Sequence, residues 1–190
     1  MPAHEESVTD PAVAADLLLA DRGTEYFSGR LGELTDPEYD GPSRLPGWDR
    51  RHVIAHVGYN ARALSRLVEW ARTGVQTPMY ASPQARNSEI DAGATLTPVE
   101  LRKLHHQALA TLAAGWRDLP ADRWGHPVRT AQGRTVPVSV TPWMRIREVW
   151  LHAVDLNNGG RVEDFPPEVV DRLLADITSW WARSADAVDL

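Results

Sequence analysis

A chain of 190 residues has room for one domain, or one domain with an appendage. It is 43% hydrophobic and 24% charged, the balance of a globular protein, and its net charge of −6 does not suggest a nucleic-acid partner, which needs a basic footprint. There is no cysteine, so disulfides, thiolate ligands and a protein thiol nucleophile are excluded, and any thiol chemistry must use a thiol from outside.

The opening residues 1–10, MPAHEESVTD, are polar and acidic. They read as a disordered N-terminus, not as a signal peptide, and His4 within them is a poor ligand candidate. A first helix is expected from about residue 11 to 34, with Asp10 as N-cap, Pro11 at the first helical position and Val13, Leu17, Leu18 and Phe27 recurring on one side. Residues 35–47, TDPEYDGPSRLPG, carry three prolines and two glycines and form a loop.

A second helix opens at Asp49, with Trp48 placed to pack back on its first turn, and ends near Gly74. Its inward stripe is Val53, His56, Val57, Asn60, Leu64, Leu67 and Val68. A long connection follows, with one short helix after Ser82-Pro83. Thr97, Pro98 and Glu100 then supply the N-cap, first position and third-position acid of a capped third long helix. The segment 125–140, GHPVRTAQGRTVPVSV, is β-like and turns at QG. Thr141-Pro142 repeats the cap signal for a fourth helix, which stops at NNGG (157–160). A fifth starts at FPPEVV and carries Val169, Val170, Leu173, Leu174 and Ile177.

These elements describe an all-α protein: a four-helix bundle over 11–160 with extended connections, and an extra C-terminal helix over 161–190 that extends it. No apolar run approaches the roughly 18 residues needed to span a membrane. A cytoplasmic protein without a membrane partner is expected, as a monomer or homodimer. Trp180-Trp181 fits either a core anchor or a surface that a partner covers.

The candidate site lies in REVWLHAVDL, residues 147–156. Glu148 and His152 stand four apart in an otherwise apolar segment, so on a helix they share a face. That spacing suits a buried Glu–His hydrogen bond, and it equally suits two ligands of one metal. HVIAHV on the second helix offers His52 and His56, one or both of which could complete the set across the bundle. Two imidazoles and a carboxylate, with a position left open, form a catalytic zinc arrangement that some other divalent metals also accept. Asp155 opposes the helix dipole. It is either an exposed acid or the acceptor for the free N–H of a ligating His152. In the third helix one of His105 and His106 faces inward in a structural role, and His126 sits exposed in a loop.

Four collinear blocks, LPGWDRRHVIAHVGYNARAL, RTGVQTPMYASPQARNSEIDAGA, VRTAQGRTVP and PWMRIREVWLHAVDL, closely resemble the mycothiol-dependent maleylpyruvate isomerase family over roughly residues 10–185. The resemblance implies a DinB-like four-helix fold. It implies a divalent metal, usually zinc, held by His56, Glu148 and His152, with His52 a neighbour. It implies mycothiol as cofactor, a small-molecule substrate, and Arg86 of SPQARN as the active-site arginine. The implied chemistry is addition of a thiolate to the cis double bond of maleylpyruvate, rotation, and departure of the thiolate to leave fumarylpyruvate. Arg86 suits the enolate or a carboxylate in that scheme, with Arg134 and Arg145 as weaker anchors, and Arg86 and Arg145 are the candidates for binding the cofactor. Family members usually carry a second C-terminal domain with a further catalytic arginine, and the resemblance is expected to be to a member lacking that domain. Four functions fit the same residues: the isomerase, a mycothiol S-transferase, a metal hydrolase and a non-catalytic metal-binding domain.

Overall fold

The computed structural model of the chain describes residues 10–186, with side chains described to residue 182. The expected disordered stretch lies outside the described residues, apart from Asp10. The chain divides after Gly160 into two units. The first holds α1 (Pro11–Gly32), α2 (Arg50–Thr73), α3 (Pro83–Ala94), α4 (Pro98–Arg117), the strands β1 (Pro127–Arg129) and β2 (Thr135–Pro137), and α5 (Thr141–Asp155). The second holds α6 (Pro167–Asp186), where Trp180 and Trp181 are 60% and 62% exposed and so are not core anchors.

The helix starts follow their local chemistry. Asp10 Oδ1 accepts the Ala12 N–H at 2.8 Å with Pro11 at the first position. Asp49 Oδ1 accepts the His52 N–H at 3.0 Å, and α2 ends where Gly74 takes the left-handed conformation at φ 76°, which a side chain would resist. Thr97 and Glu100 cap α4 reciprocally. The 125–140 segment is an antiparallel hairpin that pairs Val128 with Val136 and turns through Gly133 at φ 79°.

Two expectations are corrected. Thr141 is the first residue of α5, not its cap. A 3-10 turn over 138–140 runs straight into the helix, so the buried Thr141 hydroxyl donates to the Val138 carbonyl at 2.7 Å and accepts from Trp116 Nε1 at 3.0 Å. Leu18 of α1 is exposed, and the inward face is carried by Val13, Ala20, Gly23, Phe27 and Leu31. Leu18 sits roughly 200° round the helix from Ala20, so this phase turns it outward.

In the bundle α2 is central, packing against α3, α4 and α5, while α1 packs on α5. The expected α2 stripe is buried throughout, with Val53, Val57, Leu64 and Leu67 fully so. Small residues set the α1–α5 approach: a Cβ on Gly23 would come within 2.5 Å of Trp150 Nε1 and 2.6 Å of Val149 Cγ2. Gly23→Ala should therefore destabilise the fold by about 1–3 kcal/mol through overpacking, read as a lower denaturation midpoint at unchanged slope.

Candidate metal centre

His56 leaves α2 two turns after its start, and Glu148 and His152 leave successive turns of α5. The packing of α2 on α5 brings the three together. His56 Nε2 lies 2.9 Å from Glu148 Oε2, and His152 Nε2 lies 3.3 Å from the same oxygen. The two imidazoles meet edge-on, their centroids 4.8 Å apart. One ligand atom from each residue falls within 4.8 Å of the others, the one such group of three or more among the described residues.

The environment polarises this trio. Burial resists charge on His56 and holds its pKa below 6.5 against the pull of Glu148, so its imidazole is neutral. Burial would raise the Glu148 carboxyl, but the adjacent His152 and His56 imidazoles outweigh it and hold the pKa far below the usual carboxylate range. Burial would also lower His152, yet Asp155 and Glu148 together lift it from 6.5 to about 9. Asp155 Oδ2 sits 2.8 Å from His152 Nδ1. That pairing places the Nδ1 proton toward the carboxylate and leaves Nε2 facing the centre.

These residues fit a divalent ion. Glu148 Oε2 is buried and takes no hydrogen bond of acceptable geometry, although two ring nitrogens crowd it. A cation among the three donors would satisfy the orphaned oxygen and both nitrogens. Two imidazole nitrogens and one carboxylate oxygen make the zinc donor set with a position to spare.

His56 and Glu148 form part of the wall of a cavity of about 600 Å³, whose other walls come from the 76–83 connection, α3 and the turn of the β-hairpin. Arg86 of α3 lines it, with Nη2 3.4 Å from His56 Nδ1 and its guanidinium 6.0 Å over the Tyr80 ring. Residues that the sequence reasoning passed over also line it. Tyr80 lies in the quoted PMYASP block, and burial keeps its phenol protonated by raising its pKa. Arg129 stands at the end of β1, where no periodicity marks it out.

Other candidates lie elsewhere. Arg145 does not line this cavity. Its side chain is 1% exposed, and Nη1 donates to the Val57 carbonyl at 2.8 Å and to Asn60 Oδ1 at 3.1 Å. It shares the inward side of α5 with Glu148 but lies one turn nearer the helix start, against the α2 backbone. Arg134 is exposed on the hairpin and is not among the lining residues. His52 pairs with Asp49 at 2.7 Å and stacks on Trp48, outside the trio. His105 is the inward member of its pair, and His126 is half-buried.

The family model for the mycothiol maleylpyruvate isomerase N-terminal domain matches residues 20–157. The chain belongs to the mycothiol-dependent maleylpyruvate isomerase family. The crystal structure of a mycothiol-dependent maleylpyruvate isomerase superposes with a TM-score of 0.86 at 50% identity, covering 87% of this chain and 69% of that one. A histidine-to-alanine mutant of such an isomerase gives 0.86 at 49% identity with the same coverage. YfiT from Bacillus subtilis, described as "a probable metal-dependent hydrolase with an unusual four-helix bundle topology", superposes with a TM-score of 0.63. It covers 83% of this chain and 89% of its own, and at 16% identity it shows the shared DinB-like fold alone. No curated protein sequence matches significantly. No helix among the described residues is long and apolar enough to cross a membrane.

The His152 shift sets a pH dependence for the metal-free protein. Its folded pKa is raised, so the stability it contributes is fully present below 6.5 and is lost as pH rises through about 9. An NMR titration of the metal-free protein should find the His152 imidazole titrating near 9. Asp155→Asn should move that midpoint down and weaken zinc binding by roughly 10–100-fold.

Proposed function

We propose that this chain is a cytoplasmic, metal-dependent, mycothiol-using enzyme. Its reaction is the cis–trans isomerisation of maleylpyruvate, or a related substrate, to fumarylpyruvate by reversible thiol addition. The observation that carries this reading is the convergence of His56, Glu148 and His152 on one point, beside a cavity that His56, Glu148 and Arg86 line, in a chain half identical to such an isomerase.

A divalent metal, zinc for this donor set, supplies a Lewis acid that lowers the pKa of a thiol or water. Glu148 would bring the one full negative charge to such an ion, and His56 and His152 would bring neutral nitrogens. Asp155 holds His152 in the tautomer that presents Nε2. Coordination through His56 Nε2 would put that ring's proton on Nδ1, opposite the Arg86 donor. Two donors cannot face each other, so the guanidinium would then be released from the imidazole to face a substrate. There it binds a carboxylate side-on and offsets the negative charge that develops on the pyruvyl oxygen. Arg129 provides a second cation on the hairpin wall for a second carboxylate. Tyr80 retains its proton at neutral pH and can donate a hydrogen bond to an oxyanion.

Purified protein supplied with zinc, mycothiol and maleylpyruvate should form fumarylpyruvate without consuming the thiol. Accumulation of a stable thioether would instead identify an S-transferase, and turnover without added thiol a hydrolase. His56→Ala should lose stoichiometric zinc by elemental analysis, and at least roughly a hundredfold in kcat/KM, with the helical circular dichroism retained. Arg86→Met should keep the zinc and lower kcat/KM by roughly 10²-fold, the scale of losing one oxyanion donor. Zinc retained in His56→Ala, or full activity without zinc, would overturn the reading.

A further inference from the structure

Asn60 of α2 stands one turn beyond His56 on the same inward stripe, and it lines the metal-side cavity together with His56, Glu148 and Arg86. It is 5% exposed. The other amide side chains of that wall, Gln76 and Gln132, come from the connection after α2 and from the hairpin turn. Asn60 is therefore the one amide that a helix contributes to the lining.

An amide side chain accepts at one end and donates at the other, and Arg145 decides which end faces where. Its Nη1 donates to Asn60 Oδ1 at 3.1 Å and to the Val57 carbonyl at 2.8 Å. A guanidinium only donates, so the amide oxygen is the end that meets it, and this fixes the orientation of the amide. Arg145 lies outside the cavity lining, and Nδ2 is the end turned away from it. Nδ2 makes no hydrogen bond to the described residues, and it is not one of their sealed, unpartnered polar atoms. The little surface that Asn60 keeps thus includes Nδ2 and opens on the cavity. Two N–H groups on an otherwise buried side chain are left for whatever the cavity holds, and donors left unmet there are costly.

We infer that Asn60 is a substrate-binding residue, whose Nδ2 donates to an oxygen of a dicarboxylate substrate bound beside the metal centre. The inference rests on the isomerase reading of the site. Arg86 and Arg129 meet carboxylates as cations from α3 and the hairpin. Asn60 adds a neutral donor from the α2 wall, fixed on a packed helix next to His56. Such a donor recognises an oxygen without adding a positive charge that would repel a nearby metal ion.

Maleate, a stable cis-dicarboxylate, is the probe, added to the zinc-loaded full chain. Calorimetry should give saturable binding, and proton–nitrogen correlation NMR should show the assigned Asn60 side-chain amide signals shifting with it. Asn60→Asp keeps an oxygen for Arg145 and removes the donor, so a purely structural Asn60 would tolerate it. It should instead retain zinc and its denaturation midpoint while binding maleate roughly 10–100-fold more weakly, the scale of a hydrogen bond to a charged group. Asn60→Ala removes the donor without adding charge and should weaken binding about tenfold, which decides the matter if the new carboxylate of the first variant takes up zinc. Maleate bound by either variant as tightly as by the wild type, or an Asn60 amide that does not respond at saturation, would overturn the inference. The two readings fail separately. A wild type that turns over maleylpyruvate and is matched in kcat/KM by Asn60→Asp sinks this inference alone. A wild type that binds maleate against Asn60 without turnover sinks the isomerase reading and leaves Asn60 in its role.

Discussion

The structure turns on one carboxylate oxygen. Glu148 Oε2 is buried where α5 packs on α2, and imidazoles from both helices meet it. A buried charge without such partners would be too costly to keep. The trio therefore requires α2 and α5 to lie side by side in one register. Arg145, a turn earlier on α5, holds that register by donating to the Val57 carbonyl, the residue next to His56. Polar contacts thus fix what apolar packing alone would leave free to slide.

The register begins at the ends of the helices. Asp49 caps α2 and also holds His52, which keeps that imidazole near the helix start while His56, one turn on, faces the interior. On α5 the last turn carries Asp155, an acid opposed by the helix dipole. Its cost is offset by the hydrogen bond to His152, which fixes the ring's orientation and tautomer. Around this rigid pair of helices the cavity is completed by less regular elements: the 76–83 connection, α3 and the hairpin turn. The division suits the chemistry. The candidate metal donors sit on packed helices, while most of the other residues that line the cavity sit on less regular segments.

Much of the fold was legible because its signals are local. Proline after an N-cap, a capping box at Thr97 and a left-handed Gly74 each act within one turn, so the bounds of α1, α2 and α4 follow from them. Thr141 misled for the same reason. Its neighbours match a cap, but the 3-10 turn before it already carries the helical path, and its hydroxyl is claimed by Trp116 and Val138. Leu18 misled because leucines outweigh small residues in a hydrophobic stripe. Here Ala20 and Gly23 set the buried face, since only small residues let α1 come close to Trp150.

By itself the sequence determined the helices and the family, and it singled out Glu148 and His152 with the His52–His56 pair as a candidate site, because four-residue spacing on one helix and a stripe on another are enough to name residues that share a face. Tertiary structure alone decided which cations matter and where. Arg86 and, more weakly, Arg145 were both candidates in the chain, yet Arg145 is closed in against the α2 backbone and Arg86 lines the cavity beside His56. Arg129 and Tyr80 join that cavity from a hairpin and a loop. No local pattern records such placement, because it depends on contacts between residues far apart in the chain, and those exist only once the bundle has packed.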